Sequence, residues 1–178
     1  MRVIAGRFRG RRLSSARAPE LRPTSDRVRE AIFSILGGAT RGARVLDLYA
    51  GTGALALEAL SRGASSAVCV ERDRRALNAL VRNIADLGVT EEVTVMHGDS
   101  LDYCRTIPED RAIFDMVFCD PPYATALDPI RDHVLGAGWW TTVCVVEHAA
   151  NQSLPEPVPM HSDARRYGDT AVSFFWRS

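Results

Sequence analysis

A chain of 178 residues has room for one domain, at about 150 residues per domain, and its 46% apolar and 25% charged residues exclude a disordered tail or a disulfide-stapled miniature fold. Formal charge is zero, with 22 basic and 22 acidic side chains, and no apolar run approaches the roughly 20 residues of a membrane span. Arg2, Arg7 and Arg9 interrupt the N-terminal apolar residues, so no secretory leader and a cytoplasmic location are expected.

The zero total hides an uneven distribution. Residues 1–30 carry nine arginines against Glu20, Asp26 and Glu30, a net +6, which leaves −6 on the remainder. A basic arm on an acidic body fits a polyanionic partner. Gly6 and Gly10 break any helical face here, which argues against a membrane-surface helix. Met1–Ala5 and Arg11–Ser14 are expected to pair as a short hairpin about Arg7-Phe8-Arg9-Gly10, and Ala16–Pro23 is a Pro-punctuated linker. Residues 1–23 are therefore expected to form an extension, and 24–178 the main domain.

Thr24-Ser25-Asp26 offers N-cap residues for a helix whose apolar face is Val28, Ile32, Ile35 and Leu36, and Gly37-Gly38 ends it. From Arg44 onward strands and helices alternate. The expected strands are Arg44–Leu48, Ala67–Val70, Val93–Met96, Ile113–Cys119 and Thr142–Glu147. The expected helices are Ala54–Ser61, Arg74–Leu87 (with Leu77, Leu80, Val81, Ile84 and Leu87 inward) and Leu127–Leu135. Asp163–Arg166 and Ala171–Trp176 are expected to form a closing antiparallel pair, and Trp139-Trp140 to be core or a strand-end anchor rather than a base platform. This alternation implies right-handed βαβ units and a doubly wound α/β sheet.

Cys69, Cys104, Cys119 and Cys144 show no C-x-x-C spacing and are expected to be reduced core thiols. His97, His133, His148 and His161 lack metal-ligand spacing, so no metal is assigned.

The chemistry lies at the strand ends. Gly51-Thr52-Gly53 follows a strand and opens a helix, in the form G-x-G-x-x-A. Glycines there admit a ligand close to the backbone, and the helix N-terminus favours anionic groups. Glu71, 18 residues beyond Gly53, has the spacing of an acid that accepts both hydrogen bonds of a ribose diol. Asp99 closes the third strand on the same edge. These features point to a nucleoside cofactor, a dinucleotide among the candidates. Asp47, four residues before the turn, suits the ammonium of adenosylmethionine and would repel a pyrophosphate. Asp120-Pro121-Pro122-Tyr123 follows the fourth strand. Two prolines fix φ and remove two N–H donors, so the corner presents acceptors only. The Asp120 carboxylate and the Pro121 carbonyl can accept both N–H bonds of an exocyclic amine, while Tyr123 offers a ring on which an unstacked base can lie.

Arg44–Leu55, Glu71, Gly98–Ser100 and Asp120–Tyr123 resemble the successive motifs of class I adenosylmethionine-dependent methyltransferases acting on exocyclic amines. With Met1–Leu13, Arg22–Leu36 and Arg165–Thr170 the chain resembles, nearly end to end, the RsmD family, which methylates N2 of a guanine in 16S ribosomal RNA. The resemblance implies a Rossmann-like, seven-stranded, mostly parallel sheet with one antiparallel strand, preceded by a small hairpin. It implies that Asp47, Gly51 and Gly53 hold the methionine end of the cofactor, Glu71 its ribose and Asp99 its adenine amine, with Tyr49, Arg72 and Ser100 also binding the cofactor. Asp120, Pro121, Pro122 and Tyr123 would hold the guanine. Tyr49 stands where Phe is frequent in the family, and Asp169 where a basic residue is. Arg7, Phe8, Arg9 and Arg11 combine charge with an aromatic ring, and with Arg22 and Thr24 they are the candidate RNA contacts. The expected partner is 16S rRNA or the small subunit, an assembly intermediate included, bound by a monomer. Rival readings are an amino-methyltransferase of DNA adenine or cytosine, a non-catalytic RNA-binding assembly factor, and an NAD-dependent oxidoreductase. The last is weakened by Asp47 and by the absence of any lysine for a catalytic Tyr-Lys pair.

Overall fold

The computed structural model describes residues 1–15, 25–154 and 160–177. A seven-stranded sheet in the order β3-β2-β1-β4-β5-β7-β6 forms its centre. The strands are β1 (Arg44–Leu48), β2 (Ser66–Glu71), β3 (Val93–His97), β4 (Phe114–Cys119), β5 (Trp140–Ala149), β6 (His161–Tyr167) and β7 (Thr170–Trp176). β1 pairs in parallel with β2 and β4, β2 with β3, and β4 with β5; β7 runs against both neighbours. One antiparallel strand in an otherwise parallel sheet is the expected topology.

The helices are α1 (Asp26–Leu36), α2 (Ala54–Ser61), α3 (Arg74–Leu87), α4 (Ser100–Thr106) and α5 (Asp128–Ile130), which continues as a π turn over Arg131–Leu135. Strand side chains alternate between faces, so the sheet has two apolar layers. Val45, Cys69, Met116, Phe118, Val143 and Phe174 meet α1, α2 and α3 on one side. Leu46, Leu48, Val117, Cys144 and Phe175 meet α4, α5 and the fully buried Trp139 and Trp140 on the other. All four cysteines are buried free thiols. Among the described residues no helix is long and apolar enough to cross a membrane.

Two sequence expectations are corrected. Val81, assigned to the inward face of α3, is 50% exposed, and Asn83 occupies the inward stripe between Leu80 and Ile84. The short helix α4 has no counterpart in the sequence reading; Asp99 starts it by accepting the Leu101 and Asp102 N–H groups.

The N-terminal segment folds back on itself as expected. Arg2 bridges Arg12, the Val3 N–H donates to the Arg11 carbonyl, and the Leu13 N–H to that of Met1. This hairpin lies on α2. The Glu58 carboxylate accepts the Ile4 and Ala5 N–H groups at 2.7 and 3.0 Å, and the Ser61 hydroxyl accepts that of Phe8. Val3 and Leu13 join the apolar layer of α1–α3. Arg29, one of the nine N-terminal arginines, is fully buried and donates to the Arg2 carbonyl and to Asp26. The charge available to an external polyanion is accordingly smaller than the sequence count.

Candidate active site

Every parallel strand delivers its C-terminal end to the same edge, and there the strand order reverses between β1 and β4, the place where open sheets bind ligands. Asp47 lies on β1 between the inward-facing Leu46 and Leu48, so alternation turns it toward the opposite layer, beneath the start of α2. Gly53 is the N-cap of α2 and has no side chain with which to cap it. Asp47 supplies the acceptor instead, its Oδ2 taking the Ala56 N–H at 3.0 Å. The residue is 1% exposed. Burial, with Asp120 and Glu71 adding like charge, pushes its carboxyl up to about 8, against the lowering effect of the Ala56 bond.

The turn above it is tightly specified. Tyr49 takes φ 61°, a left-handed conformation rare outside glycine. It is held there by donating its N–H to the Ser100 hydroxyl at 3.0 Å. Gly53 has φ 82°, which favours glycine, and a Cβ there would sit 2.4 Å from Leu80 Cδ1, so a larger residue would be strained and would force the Leu80 side chain to move. Gly51 differs. A Cβ on it would meet only the Tyr49 carbonyl, at 4.0 Å, so its missing side chain leaves open space at the strand edge.

Glu71 ends β2 against this turn. One of its oxygens accepts the Gly51 N–H at 2.8 Å and the other the Asp73 N–H at 2.6 Å. Each carboxylate oxygen has a second lone pair, so capacity for a diol remains. Asp99 uses Oδ1 to start α4, and its Oδ2 lies 3.9 Å from Arg72 Nη1. The site residues on β1, β2, β3 and β4 thus come together along one edge.

Asp120 ends β4, its N–H directed to the Leu48 carbonyl at 3.4 Å. Pro121 is buried and Pro122 exposed. The corner closes through the Thr125 N–H donating to the Pro122 carbonyl at 2.7 Å, so closure uses the second proline's carbonyl rather than the first's. The Tyr123 hydroxyl is hydrogen-bonded to the Thr170 hydroxyl at the start of β7, and Gln152 donates to the Thr125 carbonyl. The β5–β7 end of the sheet therefore fixes both the ring and the loop. Sequence reasoning places Thr170 only in the Arg165–Thr170 stretch, not beside Tyr123, and does not identify Gln152, since long-range partners of a loop carry no local pattern.

The candidate RNA contacts lie apart from this edge, on the hairpin. Arg7 is ion-paired with Glu92 and stacks over Phe8, 4.5 Å from the ring centre. Arg11 donates to the Asp86 carbonyl at 2.6 Å, and Arg9 is exposed. Arg22 and Thr24 lie outside the described residues.

The donor set fits adenosylmethionine. Asp47, Glu71 and Asp120 lie near one another, Gly51 leaves open space against the backbone, and Glu71 and Asp99 each keep acceptor capacity, as a cationic nucleoside ligand requires.

Comparison with known proteins adds independent findings. Residues 1–176 match the family model described as "Conserved hypothetical protein 95". Ribosomal RNA small subunit methyltransferase D of Escherichia coli is 35% identical over 158 residues, which cover 87% of this chain and 78% of that protein. The solved structure of Escherichia coli yhhF superposes with a TM-score of 0.86 at 32% identity, over 100% of this chain and 98% of that one. A precorrin-6y C5,15-methyltransferase from Geobacter metallireducens shares the fold at 17% identity, with a TM-score of 0.67 over 93% of this chain and 94% of its own.

Proposed function

We propose, from the premise that this chain belongs to the Conserved hypothetical protein 95 family along with ribosomal RNA small subunit methyltransferase D, that it methylates the exocyclic N2 amine of one guanine in 16S rRNA. The observation that carries this reading is the convergence of Asp47, Glu71 and Asp120 at the carboxyl edge, beside a stiff proline corner. A buried acid pressed by two others favours a cationic ligand. Adenosylmethionine, when bound, supplies the electrophilic methyl group. Asp47, Tyr49, Gly51 and Gly53 would hold its methionine end, Glu71 and Arg72 its ribose, and Asp99 and Ser100 its adenine.

The residues of the corner act on the amine. Its lone pair is delocalised into the base, which makes the nitrogen a poor nucleophile. Asp120 and the Pro121 carbonyl accept its two N–H bonds, favour a pyramidal nitrogen, and stabilise the positive charge that develops there. The methylated nitrogen, cationic and strongly acidic, would pass one N–H proton to the Asp120 carboxylate and on to solvent, so no stronger base is required. Tyr123, tethered through Thr170, presents a fixed ring on which the extruded guanine stacks. Arg7, Phe8, Arg9 and Arg11, with Arg22 and Thr24, bind the surrounding RNA. The substrate is the RNA of the small subunit or of an assembly intermediate in the cytoplasm.

Transfer of a tritiated methyl group to naked 16S rRNA, assembled small subunits and duplex DNA, followed by nucleoside analysis, tests this. Label in N2-methylguanosine from RNA is the expected result. Label in DNA adenine or cytosine, or NAD binding without adenosylmethionine binding, overturns it.

A further inference from the structure

The Gly51–Gly53 turn is anchored from outside its own strand and helix by a residue that the proposed chemistry does not use. Asn83 lies on α3 and is 1% exposed. Its Nδ2 donates to the Thr52 carbonyl at 2.9 Å and to the Ser14 carbonyl at 3.1 Å. Its Oδ1 accepts the Ser14 N–H at 2.7 Å. With two carbonyls on one side and an N–H on the other, the amide has one orientation that satisfies all three partners. The Thr52 carbonyl belongs to the peptide between Thr52 and Gly53, so holding it fixes the plane of that peptide. Leu80, one turn earlier on α3, packs against the α-carbon of Gly53. Ser14 lies just past the hairpin that carries Arg7, Phe8, Arg9 and Arg11, and just before the segment that carries Arg22 and Thr24.

We propose that Asn83 is a positioning residue that couples the N-terminal RNA-facing segment to the cofactor turn, so that RNA and cofactor strengthen each other's binding. A ligand that orders the turn also orders the amide of Asn83, and with it both backbone groups of Ser14. A second ligand at the other end then meets a segment already fixed, and the entropic cost of its binding falls. Linkage requires the effect to be equal in both directions. This inference rests on the proposed function for the identity of its two ligands, but the mechanical link through Asn83 can be tested without RNA.

The probe is S-adenosylhomocysteine, which lacks the transferable methyl and permits equilibrium measurement. Two experiments are decisive. In hydrogen exchange without RNA, saturating S-adenosylhomocysteine should slow exchange of the Ser14 amide in the full chain, and Asn83→Ala should abolish that ligand-dependent protection. With a 16S rRNA transcript, S-adenosylhomocysteine should bind about 5-fold tighter to the native chain than without it, the low end of ordinary couplings. Asn83→Ala should bring that ratio to about 1, and Ser14→Pro, which removes the N–H donor to Asn83 Oδ1 along with the hydroxyl and fixes φ there, should do the same. Leu87→Ala, a buried site on the same helix with no partner in the turn, should lower thermal stability and leave the ratio unchanged; a merely structural role for Asn83 predicts the same of Asn83→Ala. Ser14 exchange indifferent to S-adenosylhomocysteine, or a binding ratio that survives both Asn83→Ala and Ser14→Pro, overturns the inference. Native protein that methylates RNA but shows no coupling sinks this inference alone, whereas failure to methylate any RNA sinks the functional reading.

Discussion

At the amino edge of the sheet, where β1 meets β4, Asp115 accepts two hydrogen bonds from the Arg44 guanidinium and one from the Arg44 N–H. That guanidinium holds the Asp115 carboxyl down to about 2. At the carboxyl edge of the same two strands, Asp47 is more deeply buried and faces Asp120 and Glu71, and its carboxyl is pushed up to about 8. One acid stabilises the fold through a partner on the neighbouring strand. The other is kept where desolvation and like charge oppose its ionisation, an arrangement that costs stability and makes sense as preparation for a cation. On the proposed function, the two shifts in opposite directions separate an acid that stabilises the fold from one that awaits a cation.

The largest expected effect tests whether the carboxyl edge is catalytic at all. Asp120→Ala removes the acceptor beside the developing charge and should lower turnover about 1,000-fold, in the range seen for loss of one electrostatic stabiliser. Adenosylmethionine affinity, read by calorimetry, should change far less than turnover. If turnover is retained, the corner does not grip the amine.

Most of this edge was legible in the sequence because strand–turn–helix units put Asp47, Glu71, Asp99 and Asp120 at consecutive strand ends. The bounds of β1, α2 and α3 match the sequence reading residue for residue, since Gly51-Thr52-Gly53, Asp73 and Gly88 punctuate them chemically. Helix α4 escaped because it is short and its cap, Asp99, was assigned a ligand role alone. Asn83 escaped because Leu77, Leu80, Ile84 and Leu87 already supplied an apolar face, and Val81 was added to it where the geometry buries the amide instead. A polar residue inside an inward stripe was the available signal. Glu58 was equally visible as the lone charge in α2, and its ion pair with Arg62 is an ordinary i,i+4 contact, yet Ile4 and Ala5, whose N–H groups it also accepts, are 54 and 53 residues away, beyond any local pattern.

Asp47→Asn sharpens the contrast between the edges. Asparagine can still accept the Ala56 N–H, but it carries no charge to pair with an ammonium. Adenosylmethionine affinity should fall about 30-fold, equivalent to about 2 kcal/mol. The native chain should bind the cofactor more tightly as pH rises toward about 8, with release of a proton, because the cation favours ionised Asp47. Asp47→Asn should flatten that dependence, as calorimetry in buffers of different ionisation enthalpy would report. Stability moves the other way. The folded chain holds a proton on Asp47 that the unfolded chain releases near the ordinary value for an aspartate, 3.8, so the ligand-free protein loses stability as pH rises from about 4 to about 8. Asp115 should behave oppositely. Its contribution is present above the unfolded value and lost as pH falls toward about 2. Asp115→Asn should cost about 1.5 kcal/mol in denaturant unfolding, a typical charge-assisted hydrogen bond, with cofactor affinity unchanged. A loss of cofactor affinity in Asp115→Asn would break the distinction.

The smallest effects are expected among the arginines of the hairpin, and they extend the same logic to the surface. Arg7 is already paired with Glu92 and Arg11 with the Asp86 carbonyl, so each must give up a protein partner to reach a phosphate. Arg9 is exposed and would reach a phosphate without that exchange. Each phosphate contact contributes about 0.7–0.9 to the slope of log affinity against log salt. Arg9→Ala should therefore lower the slope for 16S rRNA by nearly that full amount and weaken binding a few-fold at moderate salt. Arg7→Ala and Arg11→Ala should lower it less, because part of what they gain from RNA replaces what they lose from the protein. Glu92→Ala should act in the opposite sense, freeing Arg7 and tightening RNA binding. Equal slopes for Arg9→Ala and the native chain would place the RNA path elsewhere on the molecule.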